Sequence, residues 1–548
     1  MKKFLSPDST KISRPAGATS QADAVPPKFT NGSPLPLIKD MEAIVGEANV
    51  HGRLSDLVRF SSDAGPYRSI PQIVVSPRSA QDLAALMRYC HNNGRHMTFR
   101  AAGTSLNGQA MSDDILVDIK RHFSGMEIRD GGTKLWSRPG VILGDAQAVL
   151  GRHGFMLGPD PGSTSVCTIG GVLADNSGGM RCSLERDSYH CVEELVFVLP
   201  SGTIVDTARG DAAFKAQEPE LHANLLAFRD RLRADEKMVQ FLRKKFSIRN
   251  TNGLRIDAFL DEDEPVHILK RLMVGSEGIF GAIVESVMKT VKLPTVKATT
   301  WVELPNLRDA ANFVHPIMEA GAEACELLVA PVMRRSAEHY SHAPASWKDL
   351  DDDAAALLVE VGGTDEDDLH DAMEKLQGVL KDAPLLRPVE FETTAEGMRG
   401  AWELRNGLYG LLGADRPNGT TYITEDVCFP PAEVGNAAAD LLDLQHKYGY
   451  PESVMGHAAF GNLHFFLTPR FDIEEEREAY ANFLDELAEL VIDKYQGSMK
   501  AEHGTGVNMA PFLEHEWGPE AFELFWEVKE MLDPHGILAP NVKLTRDN

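Results

Sequence analysis

The stretch PDPGSTSVCTIGGVLADNSGG, residues 159–179, decides the predicted fold of this chain. It holds five glycines within 21 residues, interspersed with small Ser, Thr and Asn side chains. An ordinary turn does not need so many small residues in succession, whereas a backbone that approaches a large ligand closely does. The stretch has neither G-x-G-x-x-G at a helix start nor a Walker loop, so the usual nucleotide-binding folds fit it poorly. It predicts a glycine-rich ligand loop in another kind of fold.

Two more glycine-rich stretches lie on either side of it. FRAAGTSLNGQ, residues 99–109, follows a predicted strand, and its Gly103 and Gly108 allow a bend that exposes backbone N–H groups. Such a loop can wrap a pyrophosphate without cationic side chains, although by itself the stretch fits an ordinary polar turn equally well. In VGSEGIFGAIVES, residues 274–286, three glycines punctuate an otherwise apolar run.

Histidines among glycines form a second kind of pattern. His457 and His464 stand in GHAAFGNLHFFL and, being seven residues apart, would lie on opposite faces of a straight strand. Gly461 and Asn462 between them favour a bend, and a bend can bring both imidazoles to one point.

The stretch AEHGTG adds a carboxylate and a third histidine. Here Glu502 and His503 precede Gly504 and Gly506. Two histidines and a carboxylate suit a borderline divalent ion such as Zn²⁺ and leave positions open for a substrate. A single histidine is more often a satisfied core residue, but four ligand-type residues among glycines favour a site.

Composition restricts the class of protein. The chain has 548 residues, 43% of them apolar, and a formal net charge of −26. This length suggests roughly three structural units, and the composition excludes disorder as the main state, collagen and a coiled coil. The acidic balance argues against nucleic-acid binding. Six cysteines without C-x-x-C spacing argue against an iron–sulfur cluster held by this chain and favour a reducing compartment.

Neither a signal peptide nor a membrane span is predicted. The amino terminus, MKKFLSPDST, lacks the about 7–15 apolar residues of a signal peptide. No stretch of about 18 apolar residues, long enough for a transmembrane helix, occurs in the sequence. We therefore expect a cytoplasmic protein, with any membrane contact peripheral to the inner membrane.

The chain is expected to divide into four segments. Short strands and helices alternate from about residue 66, with a helix in SPRSAQDLAALMRYCHNNG that stops at Gly94 and a hairpin in ELVFVLPSGTIVD. The composition shifts near Pro294. The predicted segments are a flexible tail (residues 1–36), a first domain (50–298), a cap domain (299–510) and a returning carboxyl-terminal segment (511–548).

The three glycine-rich stretches resemble, in order and spacing, the FAD-binding domain of the vanillyl-alcohol oxidase/p-cresol methylhydroxylase family. The resemblance implies an α+β fold in which two subdomains hold an extended FAD and an antiparallel-sheet cap follows. Some members attach the flavin to a histidine within a Gly-His pair, but here Thr104 follows Gly103, so non-covalent FAD is implied. The implied cofactor-binding residues are Arg100, Gly103, Thr104, Ser105, Asn107, Gly108, Gln109, Pro161, Gly162, Thr168, Gly170, Gly171, Asn176, Gly179, Glu277 and Ile283.

The histidine stretches, with LDPHGILAP near the carboxyl terminus, resemble the C-terminal half of the FAD-linked D-2-hydroxyacid dehydrogenases. Carried over, His457, His464 and Glu502 would bind a divalent metal, Zn or Mn, and His503 would be the catalytic base. WELRNGLY places Arg405 where this family holds the substrate carboxylate, and ITEDVCFP resembles the strand that leads on from that arginine.

Some features depart from the family pattern. Ala459 and Phe460 replace the usual Gly-Asp between the histidines, so the metal loop is expected to differ in shape from that of the family. Ala539-Pro540-Asn541 replaces the usual Asn-Pro-Gly, so one contact that the family makes to the flavin or the base is expected to be absent. Several relatives also continue into a cysteine-rich iron–sulfur half that this sequence lacks. Its electrons would therefore go to a separate carrier, or the chain is the flavin part of something larger.

The implied reaction is oxidation of a D-2-hydroxy acid, D-lactate first, to the 2-oxo acid. Arg405 would hold the carboxylate as a planar two-pronged partner. The metal would bind the 2-hydroxyl oxygen and lower its pKa, and His503 would take the proton while the C2 hydride passes to FAD. A quinone, a cytochrome or an iron–sulfur protein would accept the electrons, and a homodimer is possible.

Several alternatives stay open. Within the family these are a D-2-hydroxyglutarate dehydrogenase and the flavin subunit of a glycolate oxidase. A transferase like alkyl-dihydroxyacetone-phosphate synthase would share the fold and the flavin, but the Glu502-His503 pair speaks against it. A flavin-carrying subunit without its own substrate site would be expected to lack Arg405 or His503.

Overall fold

The computed structural model describes residues 25–547 of the chain. The strands are β1 (Val50–His51), β2 (Ile73–Val75), β3 (Met97–Arg100), β4 (Ile115–Asp118), β5 (Met126–Arg129), β6 (Lys134–Ser137), β7 (Phe155–Met156), β8 (Val192–Val198), β9 (Ile204–Asp206), β10 (Ala282–Lys289), β11 (Val291–Lys292), β12 (Val296–Leu304), β13 (Ala324–Val329), β14 (Ala355–Gly363), β15 (Ile423–Cys428), β16 (Met455–Gly456) and β17 (Asn462–Leu467).

The helices lie before, between and after these strands, singly or several in succession. They are α1 (Leu35–Val45), α2 (Leu54–Arg59), α3 (Ala80–Asn93), α4 (Leu143–Gly151), α5 (Ile169–Asp175), α6 (Ser188–Cys191), α7 (Asp211–Gln217), α8 (Pro219–Ala234), α9 (Glu236–Lys245), α10 (Ala258–Asp261), α11 (Pro265–Met273), α12 (Leu307–Glu319), α13 (Ala330–His339), α14 (Glu366–Leu380), α15 (Ala395–Asp415), α16 (Val434–Lys447), α17 (Glu474–Ala488), α18 (Gly506–Met509) and α19 (Leu513–Leu532).

Three larger sheets organise these elements and confirm the predicted α+β class. The first has the order β1-β2-β4-β3, with β2, β4 and β3 parallel. The second is antiparallel, in the order β5-β6-β10-β8-β9. The third is a six-stranded antiparallel sheet, in the order β12-β14-β13-β16-β17-β15. Strands β7 and β11 form a separate pair.

Local sequence signals explain several of these elements. The predicted helix is α3, in which the Ser79 side chain accepts a hydrogen bond from the Asp82 N–H and Gly94, at φ 59°, ends the helix. These are the usual start and stop devices of a helix. The predicted hairpin is β8 and β9, paired around the Ser201-Gly202 turn. The stretch ITEDVCFP forms β15 as expected.

Both ends of the described range pack on the first sheet. Of the predicted tail, residues 1–24 lie outside the described residues. Phe29, however, is 5% exposed in a cluster with Leu57, Val74 and Leu116, so this part of the segment is held by apolar burial and is not free. At the other end, Met97 in β3 pairs with Leu538 through backbone hydrogen bonds.

The sheets also fix where the predicted site residues lie. The first glycine-rich loop leaves the end of β3, the second contains α5, and the third leads into β10. His464 lies in β17, His457 directly follows β16, and Arg405 lies in the middle of α15. None of the helices in residues 25–547 is long and apolar enough to cross a membrane.

Candidate active site

One cavity of about 660 Å³ brings the glycine-rich loops and the histidine stretches together. Its size suits a large organic cofactor with room for a small substrate. The Thr168 hydroxyl, at the start of α5, is buried there without a hydrogen-bond partner among the described residues. The predicted site residues that line the cavity are Gly103, Thr104, Ser105, Gln109, Pro161, Gly162, Thr168, Gly170, Gly171, Glu277, Arg405, His457, His464, Glu502 and His503.

Six residues predicted to bind the cofactor do not line this cavity. Arg100 donates to the backbone carbonyls of Ser62 and Ala110, and Ile283 pairs with Phe197 inside the second sheet. The others are Asn107, Gly108, Asn176 and Gly179. A glycine or a polar residue in such a loop can thus serve the loop's own shape and not a ligand, and the sequence pattern does not separate these uses.

Asn107 shows such a structural use. Its Nδ2 donates to the backbone carbonyls of His503, at 3.2 Å, and Gly504, at 2.8 Å. The Gln109 Nε2 donates to the same His503 carbonyl at 2.7 Å. The first glycine-rich loop therefore fixes the loop that carries His503, across almost 400 residues of sequence.

His457, His464 and Glu502 form a buried cluster. Their ligand-type atoms all lie within 4.8 Å of one another. The His457 Nε2 is 3.1 Å and the His464 Nε2 is 3.0 Å from the Glu502 Oε1. The predicted bend brings the two histidines together: Gly461 has φ 76°, and a Cβ there would clash with the Phe429 carbonyl. Ala458–Phe460 forms a short 3₁₀ turn, so the Ala459 and Phe460 departures do not prevent this convergence.

The donor set fits a divalent cation. The Glu502 Oε2 and the His464 Nδ1 are buried with no hydrogen-bond partner within the described range. Burial lowers the pKa of His464 to about 4, so this imidazole is neutral, as a metal ligand must be. Despite burial, Glu326 and Glu502 raise the pKa of His457 to about 9, so a bound cation would have to displace its proton. Burial would raise the pKa of Glu502, but His457 and His464 together hold it well below its ordinary value. A buried carboxylate and a neutral imidazole at one point form a natural cation site.

A chain of charged groups that the sequence pattern did not indicate connects this cluster to Arg405. The Arg405 Nε donates to the Glu326 Oε2 at 2.7 Å, and the His457 Nδ1 lies 2.7 Å from the Glu326 Oε1. The Glu326 side chain is fully buried. Burial would raise its pKa, yet His457 and Arg405 hold it at about 2, so it is a carboxylate. The Arg405 Nη2 is buried with no partner among residues 25–547 and can receive an anion.

His503 has a buried carboxylate behind it. Its Nδ1 lies 3.1 Å from the Asp426 Oδ1, and the Asp426 Oδ2 accepts the backbone N–H groups of Ala501 and Glu502. Burial would lower the pKa of His503, but Asp426 raises it above the ordinary value. The His503 ring stacks on His464 with 5.1 Å between the ring centroids. A histidine oriented by a carboxylate can accept a proton from a ligand beside the cluster.

Asp175 is another group that the sequence pattern did not single out. It lines the cavity, and its Oδ1 is buried with no hydrogen-bond partner in the described part of the chain. Burial, with Glu277 nearby, raises its pKa to about 7. Near neutral pH this carboxyl can therefore donate a hydrogen bond to a ligand as well as accept one.

Comparison with known families and proteins agrees with this geometry. Residues 71–208 match an FAD binding domain, and residues 293–542 match the C-terminal domain of FAD linked oxidases. The chain is 28% identical over 495 residues to the glycolate oxidase subunit GlcD of Bacillus subtilis (strain 168), covering 89% of this chain and 92% of that protein. It is 25% identical over 484 residues to the D-lactate dehydrogenase of Anaerostipes hadrus, covering 86% and 89%.

The fold has a counterpart among solved structures. The structure of p-cresol methylhydroxylase with substrate bound superposes with a TM-score of 0.68, over 96% of this chain and 100% of that chain. At 14% identity this likeness shows the fold alone. It confirms the predicted fold class, an FAD-binding domain of the p-cresol methylhydroxylase type with an antiparallel-sheet domain.

Proposed function

We propose that this chain, in which a matched FAD-binding domain precedes a matched C-terminal domain of FAD linked oxidases, oxidises a D-2-hydroxy acid to the 2-oxo acid. D-lactate is the first substrate to test. The observation that carries the proposal is that Arg405, the buried cluster and His503 belong to one cavity with the glycine-rich loops, and that the Arg405 Nη2 has no hydrogen-bond partner in the described part of the chain.

Arg405 is proposed to hold the substrate carboxylate. A guanidinium offers N–H groups in a fixed plane, which suits two oxygens of one carboxylate. Glu326 fixes the orientation of this side chain through the Nε, and the Nη2, which has no hydrogen-bond partner within residues 25–547, faces the substrate. The link from Glu326 to His457 then sets the carboxylate position relative to the cluster, so that the 2-hydroxyl lies beside it.

His503 is proposed to accept the proton of the 2-hydroxyl group. The Asp426 carboxylate lies 3.1 Å from the Nδ1 and faces that side of the imidazole, which leaves the Nε2 to receive the proton. The resulting imidazolium is stabilised by the same buried carboxylate. The hydroxyl proton thus goes to His503, and the hydrogen at C2 leaves with its electron pair.

Two bound groups complete the reaction. FAD, when bound, supplies the two-electron acceptor for the hydrogen at C2, and the Thr104 position implies that it is held without a covalent link. His457, His464 and Glu502 would hold a divalent metal, Zn or Mn, which would supply Lewis acidity toward the hydroxyl oxygen. A separate carrier would then take the electrons from the reduced flavin.

The test is dye reduction by the flavin-loaded protein. D-lactate should reduce an artificial acceptor, and L-lactate should react at least about a hundredfold more slowly. With the substrate carboxylate held by Arg405 and the base fixed at His503, only one enantiomer directs its C2 hydrogen at the flavin. Reduction by L-lactate at an equal rate, or by no 2-hydroxy acid at all, would refute the proposal. With a two-electron dye, formation of pyruvate in a 1:1 ratio with reduced dye confirms the reaction balance.

A further inference from the structure

The cavity that the proposed function uses is poor in positive charge. Among its lining residues in the described part of the chain, Arg405 is the single arginine or lysine. Lys500, two residues before Glu502, is buried, but it bonds to Glu425 and does not line the cavity. An acid with two carboxylates could place one on Arg405. The other would have to be desolvated without a second arginine or lysine among the lining residues of the described chain, which is costly.

The helix that carries Arg405 presents an aromatic side chain one turn further on. Tyr409 follows Arg405 at i+4, on the same side of α15, and both line the cavity. Although it lines a cavity, Tyr409 is 48% exposed, which is unusual for so large a ring. One turn advances about 5.4 Å along the helix axis, so the Tyr409 ring adds apolar surface beyond the arginine that would hold the carboxylate.

The six-stranded sheet presents a second aromatic ring at the matching distance. Phe466 follows His464 at i+2 on the same face of β17, and both line the cavity. Two strand residues span about 6.6 Å, so this ring also lies just beyond the polar cluster. Thr424, paired with Phe466 across the sheet, lines the same region, and its hydroxyl has no hydrogen-bond partner in the described range.

The two rings are braced in place. Tyr422 stacks on Phe466 with 5.1 Å between ring centroids and 7° between ring planes. The Tyr422 hydroxyl donates to the Tyr409 backbone carbonyl at 3.1 Å, and the Tyr409 ring lies 6.1 Å from Phe466. The two rings therefore form an apolar surface beside the charged end of the cavity. Because they are already held in place, binding a ligand there costs little side-chain conformational entropy.

From this placement we propose that the natural substrate carries one carboxylate and an apolar side chain larger than a methyl group, aliphatic or aromatic, with Tyr409 and Phe466 as its specificity-determining contacts. This inference rests on the proposed oxidation of a D-2-hydroxy acid. It names the class of side chain that the same site prefers, and it excludes dicarboxylic 2-hydroxy acids as good substrates.

The flavin-loaded protein can be tested on five D-2-hydroxy acids with a dye acceptor. These are lactate, 2-hydroxyisocaproate, phenyllactate, malate and 2-hydroxyglutarate. The two acids with large apolar side chains should exceed lactate in kcat/KM by about tenfold or more, the scale of added apolar groups in a matching pocket. Malate and 2-hydroxyglutarate should fall below lactate. A dicarboxylate at or above phenyllactate would overturn the inference.

A variant at the exposed ring adds a second test. Tyr409→Ala should lower kcat/KM for phenyllactate at least about tenfold more than for lactate, because only the larger side chain reaches the ring. Leu386→Ala is the matched control, since Leu386 is another large apolar residue, 44% exposed, that does not line the cavity. Equal losses for both acids in Tyr409→Ala would count against the contact.

Failure of the proposed function would look different, since no 2-hydroxy acid would then be oxidised. Binding of 2-oxo acids, followed as a change in the flavin absorption spectrum, tests the side-chain contact without turnover. Phenylpyruvate that binds about tenfold more tightly than 2-oxoglutarate supports the inference. Equal affinities, the reverse order, or no binding of either acid would overturn it.

Discussion

Glu326→Gln tests the chain of charges that joins the substrate end of the cavity to the buried cluster. In the parent, the two carboxylate oxygens accept separately, one from the Arg405 Nε and one from the His457 Nδ1. An amide has one accepting oxygen and one donating nitrogen. In the variant, therefore, the amide nitrogen faces either the Arg405 Nε or the His457 Nδ1, both of which are donors. One of the two hydrogen bonds is lost.

The structure gives a scale for the loss. Glu326 is fully buried, and its pKa of about 2 lies about two units or more below the usual glutamate value near 4.3. At 1.36 kcal/mol per unit this corresponds to about 3 kcal/mol of stability. A depressed carboxyl pKa stabilises the fold above the unfolded-state value near 4.3, and the contribution disappears as pH falls through about 2. Near neutral pH the variant should therefore lose this entire contribution to the free energy of unfolding.

The functional consequence concerns metal affinity and KM. Removing the carboxylate behind a histidine ligand typically weakens metal binding about 10–100-fold. KM should rise as well, since Arg405 loses the group that orients it, while kcat should change less. Chelator competition measures the metal affinity, steady-state kinetics separate KM from kcat, and thermal unfolding reports the stability.

Glu323→Gln is the control for this experiment. Glu323 accepts a hydrogen bond from Arg186 at 3.0 Å, but both side chains are partly exposed, at 25% and 37%, so the pair should contribute at most about 1 kcal/mol. If Glu326→Gln kept the parent's metal affinity and KM while Glu323→Gln behaved the same, the link through Glu326 would have no functional role.

Four further outcomes are expected. Acid or heat denaturation should release FAD into the supernatant, because Thr104 offers no histidine for attachment; flavin retained in the precipitated protein would contradict this. Chelation should abolish turnover and leave the flavin spectrum largely unchanged, with Zn²⁺ or Mn²⁺ restoring activity, whereas full activity in metal-free protein would disprove a metal role. Arg405→Lys should raise KM about tenfold or more for every acid accepted, since an ammonium lacks the paired N–H geometry, and unchanged kinetics would show another cation at work. His503→Asn should lower kcat by about 10²–10⁴-fold with FAD and metal retained and should remove the acidic limb of the pH–rate profile; near-normal kcat would place the base elsewhere.

The sequence alone predicted those features whose signal lies in neighbouring residues. Gly461 occupies a positive-φ position that other residues rarely adopt, so the residues between His457 and His464 themselves predict a bend. The helix α3 is equally predictable, because its capping serine and its terminal glycine stand next to the residues that they serve. Local backbone requirements are met by the residues at the same positions of the chain, and a sequence displays those residues directly.

The tertiary structure alone decided which charged groups work together. Glu326 lies 79 residues before Arg405 and 131 before His457, and it meets both because β13 lies beside β16 in the six-stranded sheet. Asp426 reaches His503 because β15 forms the edge of that sheet beside β17. Strand order is set by the burial of whole sheet faces, a property of the complete chain. In the sequence, Glu326 is only a charged residue inside an otherwise apolar strand, and nothing local gives it a role. The role follows from the fold, which places an arginine and a histidine against its carboxylate.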